Sequence, residues 1–369
     1  MATSCHNEKA ITITSNDYCA AVDTVTGIMV HDIFSPPVAS RIYVYPNVAA
    51  YEIMVQNSKE YHSLQGQLKG LDSIPVLDPK SGVNVPLAAL IAQMEVSKKL
   101  VFSEEAIEKY RDSLYAKWSD ENEKEFEVSK EYALKVVDRI AKWMGKDNYK
   151  ETRTMPKYSV HADQPARWQP TPPAYMDAVE PHWGKIRTLV MDSSAQFKAK
   201  APFPFSTDKS SDFYREAKET YDVGNKISKD LLAMENTKST KIPEESAIAT
   251  FWDCNPYATV TQGHMMFAKK KNTPDAHWIN IAKIACKTAK TDFNKTVFVY
   301  TKTSIGVFES FISCWDQKFK TNVVRPETYI NQYIDENWKP QLQTPPFPEY
   351  TSGHSVLSAC SAEILTAIF

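Results

Sequence analysis

Between Trp315 and Ser355 the sequence sets Lys318, then Arg325-Pro326, then the run Phe347-Pro348-Glu349-Tyr350-Thr351-Ser352-Gly353-His354-Ser355. These residue types can hold an oxyanion. Lys318 and Arg325 are seven positions apart, which on a continuous helix is two turns and nearly the same face. Two cations aimed at one spot repel unless an anion lies between them. The guanidinium fork suits bidentate contact with such an anion, and the ammonium acts as a compact point charge. Thr351-Ser352-Gly353-His354 stands just before an apolar stretch that reads as a helix. Amides at a helix N-terminus point at an anion, and glycine permits close backbone approach. Ser352 adds a hydroxyl donor, and His354 would stand beside the anion as a group able to give or take a proton near neutrality. Each piece alone also has a plain structural reading. Lys318 and Arg325 could be solvated charges paired with Asp316 or Glu327, and Ser-Gly-His could be a simple turn. The order and separation of the pieces carry the functional reading.

Helices must position these groups. Ser35-Pro36-Pro37 offers an N-cap and early prolines for a helix over residues 38–54. Pro86 precedes a second, over 87–100. Ser103 heads Glu104-Glu105, carboxylates in a first turn where the helix dipole favours them. Ile107, Tyr110, Leu114 and Trp118 follow at helical spacing, and Phe126, Ala133, Val136, Ile140 and Trp143 form another stripe closed by Gly145 as C-cap. These stripes read as core. Residues 165–181 hold Pro165, Pro170, Pro172, Pro173 and Pro181. Each interior proline would cost a helix about 3 kcal/mol, so the segment reads as a surface loop pinned by Trp168 and Tyr175. Pro202 and Pro204 mark a second loop. From Ser246 the pattern is helical again, through Met265-Met266, 279–289 and 293–320. A proline-rich loop over 339–348 leads to a small-residue apolar helix over 355–369.

The totals bound the rest. The 369 residues are 43% hydrophobic and 24% charged, an ordinary soluble globular balance, and ten glycines against 22 prolines favour an all-α chain over a many-turned β-sandwich. No repeat or change of composition marks a boundary, so one all-α domain over 1–369 is expected. With 43 basic and 45 acidic side chains the net charge is −2, which gives no large field for a polyanion and argues against nucleic acid as a partner. The six cysteines, Cys5, Cys19, Cys254, Cys286, Cys314 and Cys360, have no metal-site spacing and read mostly as buried free thiols. No run approaches the ~20 apolar residues of a membrane helix. Met1-Ala2-Thr3-Ser4-Cys5 looks like the end of a bacterial lipoprotein signal whose hydrophobic stretch is absent, or else a surface cysteine in a frayed terminus. Under the first reading the protein is exported and lipid-anchored at Cys5.

Lys-x6-Arg-Pro, a proline-rich loop and Ser-Gly-His, in that order, resemble the first two of three oxyanion-binding motifs of the superfamily of vanadium-dependent haloperoxidases and type 2 phosphatidic-acid phosphatases. The run from Pro345 to Ser355 is especially similar to soluble bacterial vanadium haloperoxidases, of the iodide-oxidising branch. Upstream pieces look similar too: Ser35-Pro36-Pro37-Val38-Ala39-Ser40-Arg41, Glu180-Pro181-His182-Trp183-Gly184, and Phe251-Trp252-Asp253-Cys254-Asn255-Pro256-Tyr257. The resemblance covers most of the chain and is most specific from Lys318 to Ser355.

The resemblance implies an all-α helical-bundle fold and residue roles. Lys318, Arg325, the Ser352 hydroxyl and the Gly353 amide would hold the equatorial oxygens of vanadate or phosphate. His354 would be the acid–base group, and Lys318 would also polarise peroxide for halide attack. Phe347 and Tyr257 would line the halide or substrate pocket. The implied reaction is oxidation of iodide or bromide by hydrogen peroxide with vanadate as cofactor. Vanadate resembles the pentacoordinate state of phosphoryl transfer, so an acid phosphatase acting on phosphomonoesters is the second reading, and a non-catalytic anion-binding fragment the third. The family's third motif, Ser-Arg followed by the histidine that binds vanadate covalently, does not occur after Ser355, and Ser40-Arg41 has no histidine at suitable spacing to replace it. With its apolar ending Ile364-Leu365-Thr366-Ala367-Ile368-Phe369, the chain is expected to be a C-terminally truncated family member, inactive as it stands.

Overall fold

The computed structural model describes residues 9–253, 255, 259–262, 265–268 and 272–369. Cys5, Cys254 and Tyr257 lie outside the described residues. Eleven α-helices and one short ribbon make up the regular structure among those described. The first helix, α1 (Ser15–Asp32), begins with a reciprocal cap: Thr14 Oγ1 accepts from the Asp17 amide, and the Asp17 carboxylate accepts from the Thr14 amide at 2.8 Å. Helix α2 (Pro36–Met54) starts as its sequence implies, with Ser35 as N-cap and proline at the first positions. Every residue of α2 is buried, which makes it the axle of the fold.

A helix enclosed on all sides must satisfy its polar groups internally. Arg41 Nε donates to Asp147 at 2.7 Å, and the Tyr45 hydroxyl donates to the same carboxylate at 2.9 Å. Glu52 accepts from the Ser63 hydroxyl at 2.6 Å and from the Leu64 amide at 2.7 Å. Asn47 accepts from the Tyr18 hydroxyl at 2.6 Å and donates to the Tyr43 carbonyl at 2.9 Å. Ser40-Arg41 is therefore part of this internal scaffold.

Helix α3 (Val85–Lys98) packs on α2 and is capped by Asn84, one position earlier than the proline alone suggested. The two stripes expected after Ser103 belong to one 41-residue element, α4 (Glu104–Met144), broken by a non-helical Asn122 at φ −163° and ψ 89°. Gly145 caps it as expected, but with right-handed dihedrals (φ −64°) rather than the left-handed ones that favour glycine. After the single turn α5 (Tyr149–Thr152), residues 153–211 are irregular apart from a 3-10 turn over Trp183–Lys185. Trp168 is buried in that stretch, but Tyr175 is 63% exposed and pins nothing. Within the turn, a Cβ on Gly184 would fall 2.9 Å from the Asp316 backbone, so only glycine lets this loop lie flat against the helix that carries Lys318.

Helices α6 (Asp212–Asn236) and α7 (Glu244–Trp252) lie at the periphery, with few buried residues. Between α7 and α8 (Pro274–Ala289) the expectation of helix through Met265-Met266 is not met. Instead, β1 (Thr259–Gln262) and β2 (Met265–Ala268) pair antiparallel, with Thr259 opposite Ala268. Thr-Val-Thr is β-branched and suits a strand better than a helix. This ribbon is the single departure from an all-α fold among the described residues.

Helix α9 (Phe293–Thr321) runs beside α2, and α11 (Gly353–Ile368) packs across it. A Cβ on Gly306 would collide with the Ile364 side chain, so this glycine makes the space in which a side chain of α11 lies against α9. One apolar core runs from Ile11 to Leu357 through α1–α4, α8, α9 and α11. Cys19, Cys286 and Cys314 are buried free thiols and Cys360 a half-buried one. No described helix is long and apolar enough to cross a membrane.

Candidate functional site

Lys318 and Arg325 do converge, but not along one helix. Asn322 takes left-handed dihedrals (φ 52°, ψ 39°) and ends α9, its amide donating to the Lys318 carbonyl at 2.8 Å. Asparagine is among the few residues that adopt this conformation readily. The chain then turns, and Arg325 becomes the N-cap of α10 (Pro326–Tyr333), with Pro326 at the first helical position. The two cations thus reach a common spot from the end of one helix and the start of the next.

Both cations fasten the proline-rich loop. Lys318 Nζ donates to the carbonyls of Pro348 at 2.9 Å and Glu349 at 3.1 Å. Arg325 Nε donates to the Phe347 carbonyl at 2.7 Å, and Nη1 donates to Glu349 Oε2 at 2.7 Å. The Phe347 ring lies 4.9 Å from Lys318 Nζ and 4.9 Å from the Arg325 guanidinium carbon, so its π-face contacts both charges. Neither suggested surface partner takes them. Asp316 pairs with Lys320 at 2.6 Å, and Glu327 is itself buried.

The Ser-Gly-His segment opens α11. Ser352 is its N-cap, the side-chain oxygen accepting from the Ser355 amide at 3.1 Å and the Ser355 hydroxyl at 3.0 Å, which leaves the Ser352 O–H free to donate elsewhere. The Gly353 amide is a first-turn group with no intrahelical partner. A Cβ on Gly353 would make only an ordinary 3.7 Å contact with Trp315, so the protein's own packing does not demand glycine there. His354 packs edge-on against Trp252 at 5.8 Å.

Lys318, Arg325, Phe347, Ser352, Gly353 and His354 all line one cavity of about 360 Å³, together with Trp252, Asp253, Trp315, Glu327 and Glu349. A larger hollow of about 710 Å³ lies beyond Cys314 and Thr351, is mainly apolar, and holds none of those six. The chemistry belongs to the smaller one. Among the described residues, Arg325 Nη2 and His354 Nε2 are buried without a hydrogen-bond partner. A buried donor on a guanidinium is costly when unsatisfied. Together with the third Lys318 hydrogen, the Ser352 hydroxyl and the Gly353 amide, it forms a set of free donors around one space. Such a set fits an oxyanion, and no group of carboxylates, thiols and imidazoles suited to a bare metal ion occurs among the described residues.

Electrostatics sharpen this. Burial pushes the Lys318 ammonium down to about 8, with the Arg325 charge acting in the same direction and Cys314 and Glu349 opposing. Burial also lowers His354, helped by the nearby His277 and the Lys318 charge and opposed by Asp253 and a hydrogen bond with the Trp252 backbone. The imidazole is therefore neutral at neutral pH and able to accept a proton. For Lys318 the sign gives a prediction. The empty site carries the ammonium below pH about 8 and loses it above, so affinity for phosphate should fall as pH rises through about 8. In that window, binding should take up a proton. Titration calorimetry in two buffers of different ionisation heat measures both, and Lys318→Arg, which does not titrate there, should flatten the profile.

Sequence reading assigned no role to Glu349, although it quoted the residue, and offered Glu327 only as a surface partner. Trp252, Asp253 and His277 were also missed. The one local signal for Glu327 is its place two residues after Arg325, in the first turn of α10.

Comparisons with known proteins bear on the family and the fold. A family model described as the VCPO second helical-bundle domain matches residues 331–369. No curated protein matches the chain. Among solved structures, a bacterial vanadium-dependent iodoperoxidase is similar at 55% identity and TM-score 0.91, over 98% of this chain and 83% of that one. A holo-type bacterial vanadium-dependent chloroperoxidase is similar at 15% identity and TM-score 0.62, over 92% of this chain and 77% of that one, a likeness of fold. The apo-type chloroperoxidase gives 14% identity and TM-score 0.57, over 91% and 78%. With more than half its residues identical to the iodoperoxidase across nearly its whole length, the chain belongs to the vanadium-dependent haloperoxidases and is an enzyme of that type.

Proposed function

We propose that the protein oxidises iodide or bromide with hydrogen peroxide, using vanadate held in the cavity of α9, α10 and α11. The observation that carries this is the convergence of Lys318, Arg325, Ser352, Gly353 and His354 on one cavity, with Arg325 Nη2 buried and unsatisfied by the protein. Lys318, Arg325, the Ser352 hydroxyl and the Gly353 amide hold the oxyanion by charge-assisted and neutral hydrogen bonds. When bound, vanadate supplies a Lewis-acidic centre that activates peroxide. His354, neutral at neutral pH, takes a proton from incoming peroxide at its free Nε2 and later returns it. Lys318 would polarise the bound peroxide towards the halide, and the Phe347 ring lines the halide's approach. In this reading 1–369 is one all-α domain.

Two finer points belong to the same reading. The start Met1-Ala2-Thr3-Ser4-Cys5 supports export and a lipid anchor at Cys5. Hydrolysis of phosphomonoesters is the second activity this cage could support, because phosphate and vanadate share its geometry.

Orthovanadate titrated into purified residues 1–369 should quench the tryptophans that line the cavity, Trp252, Trp315 and Trp338, in competition with phosphate. Iodide oxidation by the protein should depend on added vanadate. If it hydrolysed phosphate esters without vanadate and failed to oxidise iodide with it, the phosphatase reading would replace this one.

A further inference from the structure

Glu327 is an odd residue to find in an anion site. It is only 6% exposed and lines the same cavity as Arg325, Ser352 and His354. Its Oε2 is buried with no hydrogen-bond partner among the described residues, while the Thr344 hydroxyl bonds the carboxyl. Arg325, two residues away, spends Nη1 on Glu349 instead, and Nη2 stays unpaired. Arg325 and Glu327 thus both line the cavity, and each holds one buried side-chain atom that no protein group satisfies.

Two orphaned groups of opposite character in one small space call for an occupant that both accepts and donates. An ionised carboxylate is acceptor-only. It repels any anion that offers it nothing but lone pairs, and does so strongly away from water. An anion that still carries a hydrogen can turn its O–H to the carboxylate and its other oxygens to the cations. Burial pushes the Glu327 carboxyl upward, opposed by the Thr344 hydroxyl and the Arg325 guanidinium; an oxyanion that donates its own hydrogen to the carboxylate adds to the groups that favour the ionised form.

We propose that Glu327 is a specificity-determining residue that admits oxyanions bearing a hydrogen, such as hydrogen phosphate and hydrogen vanadate, and excludes sulfate. The proposal rests on the oxyanion cage described above. Discrimination comes from an unfavourable element built against the wrong ligand, not from extra attraction to the right one. The same acceptor would receive an O–H of hydrogen peroxide.

The test uses residues 1–369 without vanadate and measures dissociation constants for inorganic phosphate, orthovanadate and sulfate at neutral pH by calorimetry. Wild type should bind phosphate and vanadate about 100-fold more tightly than sulfate. Glu327→Gln, whose amide can donate to sulfate, should bring the ratio below about fivefold, mainly by gaining sulfate. Thr344→Val, which removes the hydroxyl that orients the carboxyl, should give an intermediate ratio, and serves if Glu327→Gln fails to fold by circular dichroism. Wild type that binds all three alike overturns the proposal while the cage stands, and would mean that Glu327 is protonated. An unchanged ratio in Glu327→Gln also overturns it. Wild type that binds none of the three removes the cage and this inference together.

Discussion

His354→Ala should lower vanadate-dependent iodide oxidation by about 10²–10⁴-fold, the usual contribution of a positioned acid–base group, while changing orthovanadate affinity by less than about tenfold. The asymmetry follows from the geometry. Lys318, Arg325, Ser352 and Gly353 present the donors to the oxyanion, and His354 stands in the same cavity with its Nε2 free. The pH profile adds a second signature. Burial, the nearby His277 and the Lys318 charge hold the imidazole below its ordinary value, so the base form persists down to mildly acid pH and the rate falls only as pH drops further. In His354→Ala that acid limb should vanish along with most of the rate. The assay follows vanadate-dependent turnover, with vanadate binding measured separately. A variant that kept near-normal turnover, or lost vanadate and activity together, would show that the role is misassigned.

Arg325→Ala should weaken phosphate and orthovanadate binding to residues 1–369 by about 10²–10³-fold, comparable to removing a preorganised oxyanion donor. Three things go at once. The cage loses its buried free N–H, the Phe347 carbonyl loses a 2.7 Å donor, and Glu349 loses its 2.7 Å partner. Glu349 then contributes uncompensated negative charge at the rim of an anion site. Arg325→Lys restores the charge but not the fork, and one ammonium on a flexible stem does not reproduce this set of contacts. It should recover no more than about tenfold. Calorimetry with phosphate reads both variants, and circular dichroism checks that the loop after Trp338 has not unfolded. Binding within about threefold of wild type in Arg325→Ala would remove Arg325 from the cage.

Much of the site was legible because its residues are short-range statements. A serine before Gly353 and an apolar helix, or a proline just after Arg325, says where a helix begins whatever surrounds it. The apolar stripes of α2, α4, α9 and α11 were readable for the same reason. The meeting of Lys318 and Arg325 was right in outcome and wrong in route, since the spacing of seven assumed a helix that Asn322 ends. Loops hid the rest. Which carbonyls Lys318 and Arg325 would find at Phe347, Pro348 and Glu349 depends on how a proline-rich segment folds back on α9, and no local periodicity encodes that. The pairing of Arg325 with Glu349 is likewise a tertiary fact. Helix α1 has its own buried stripe, Tyr18, Val22, Val25 and Met29, to which the sequence analysis gives no helix, whereas α6 is mostly exposed and offers no such stripe. The strand at Met265 was missed because a four-residue apolar run does not distinguish helix from strand.

The Phe347 ring has one more consequence, for the order in which the enzyme is assembled. Two like charges facing an empty space would ordinarily swing apart or draw in a carboxylate and close the gap. Here the negative face of a neutral ring touches both, and carbonyl oxygens and the Glu349 carboxylate anchor some of their hydrogens. The ring offers the cations partial compensation without occupying the place an anion would take. The protein's own groups thus hold the cage in shape, so loading is a matter of diffusion and charge attraction rather than of rebuilding. A freshly made molecule would be competent to capture its oxyanion as soon as it met one.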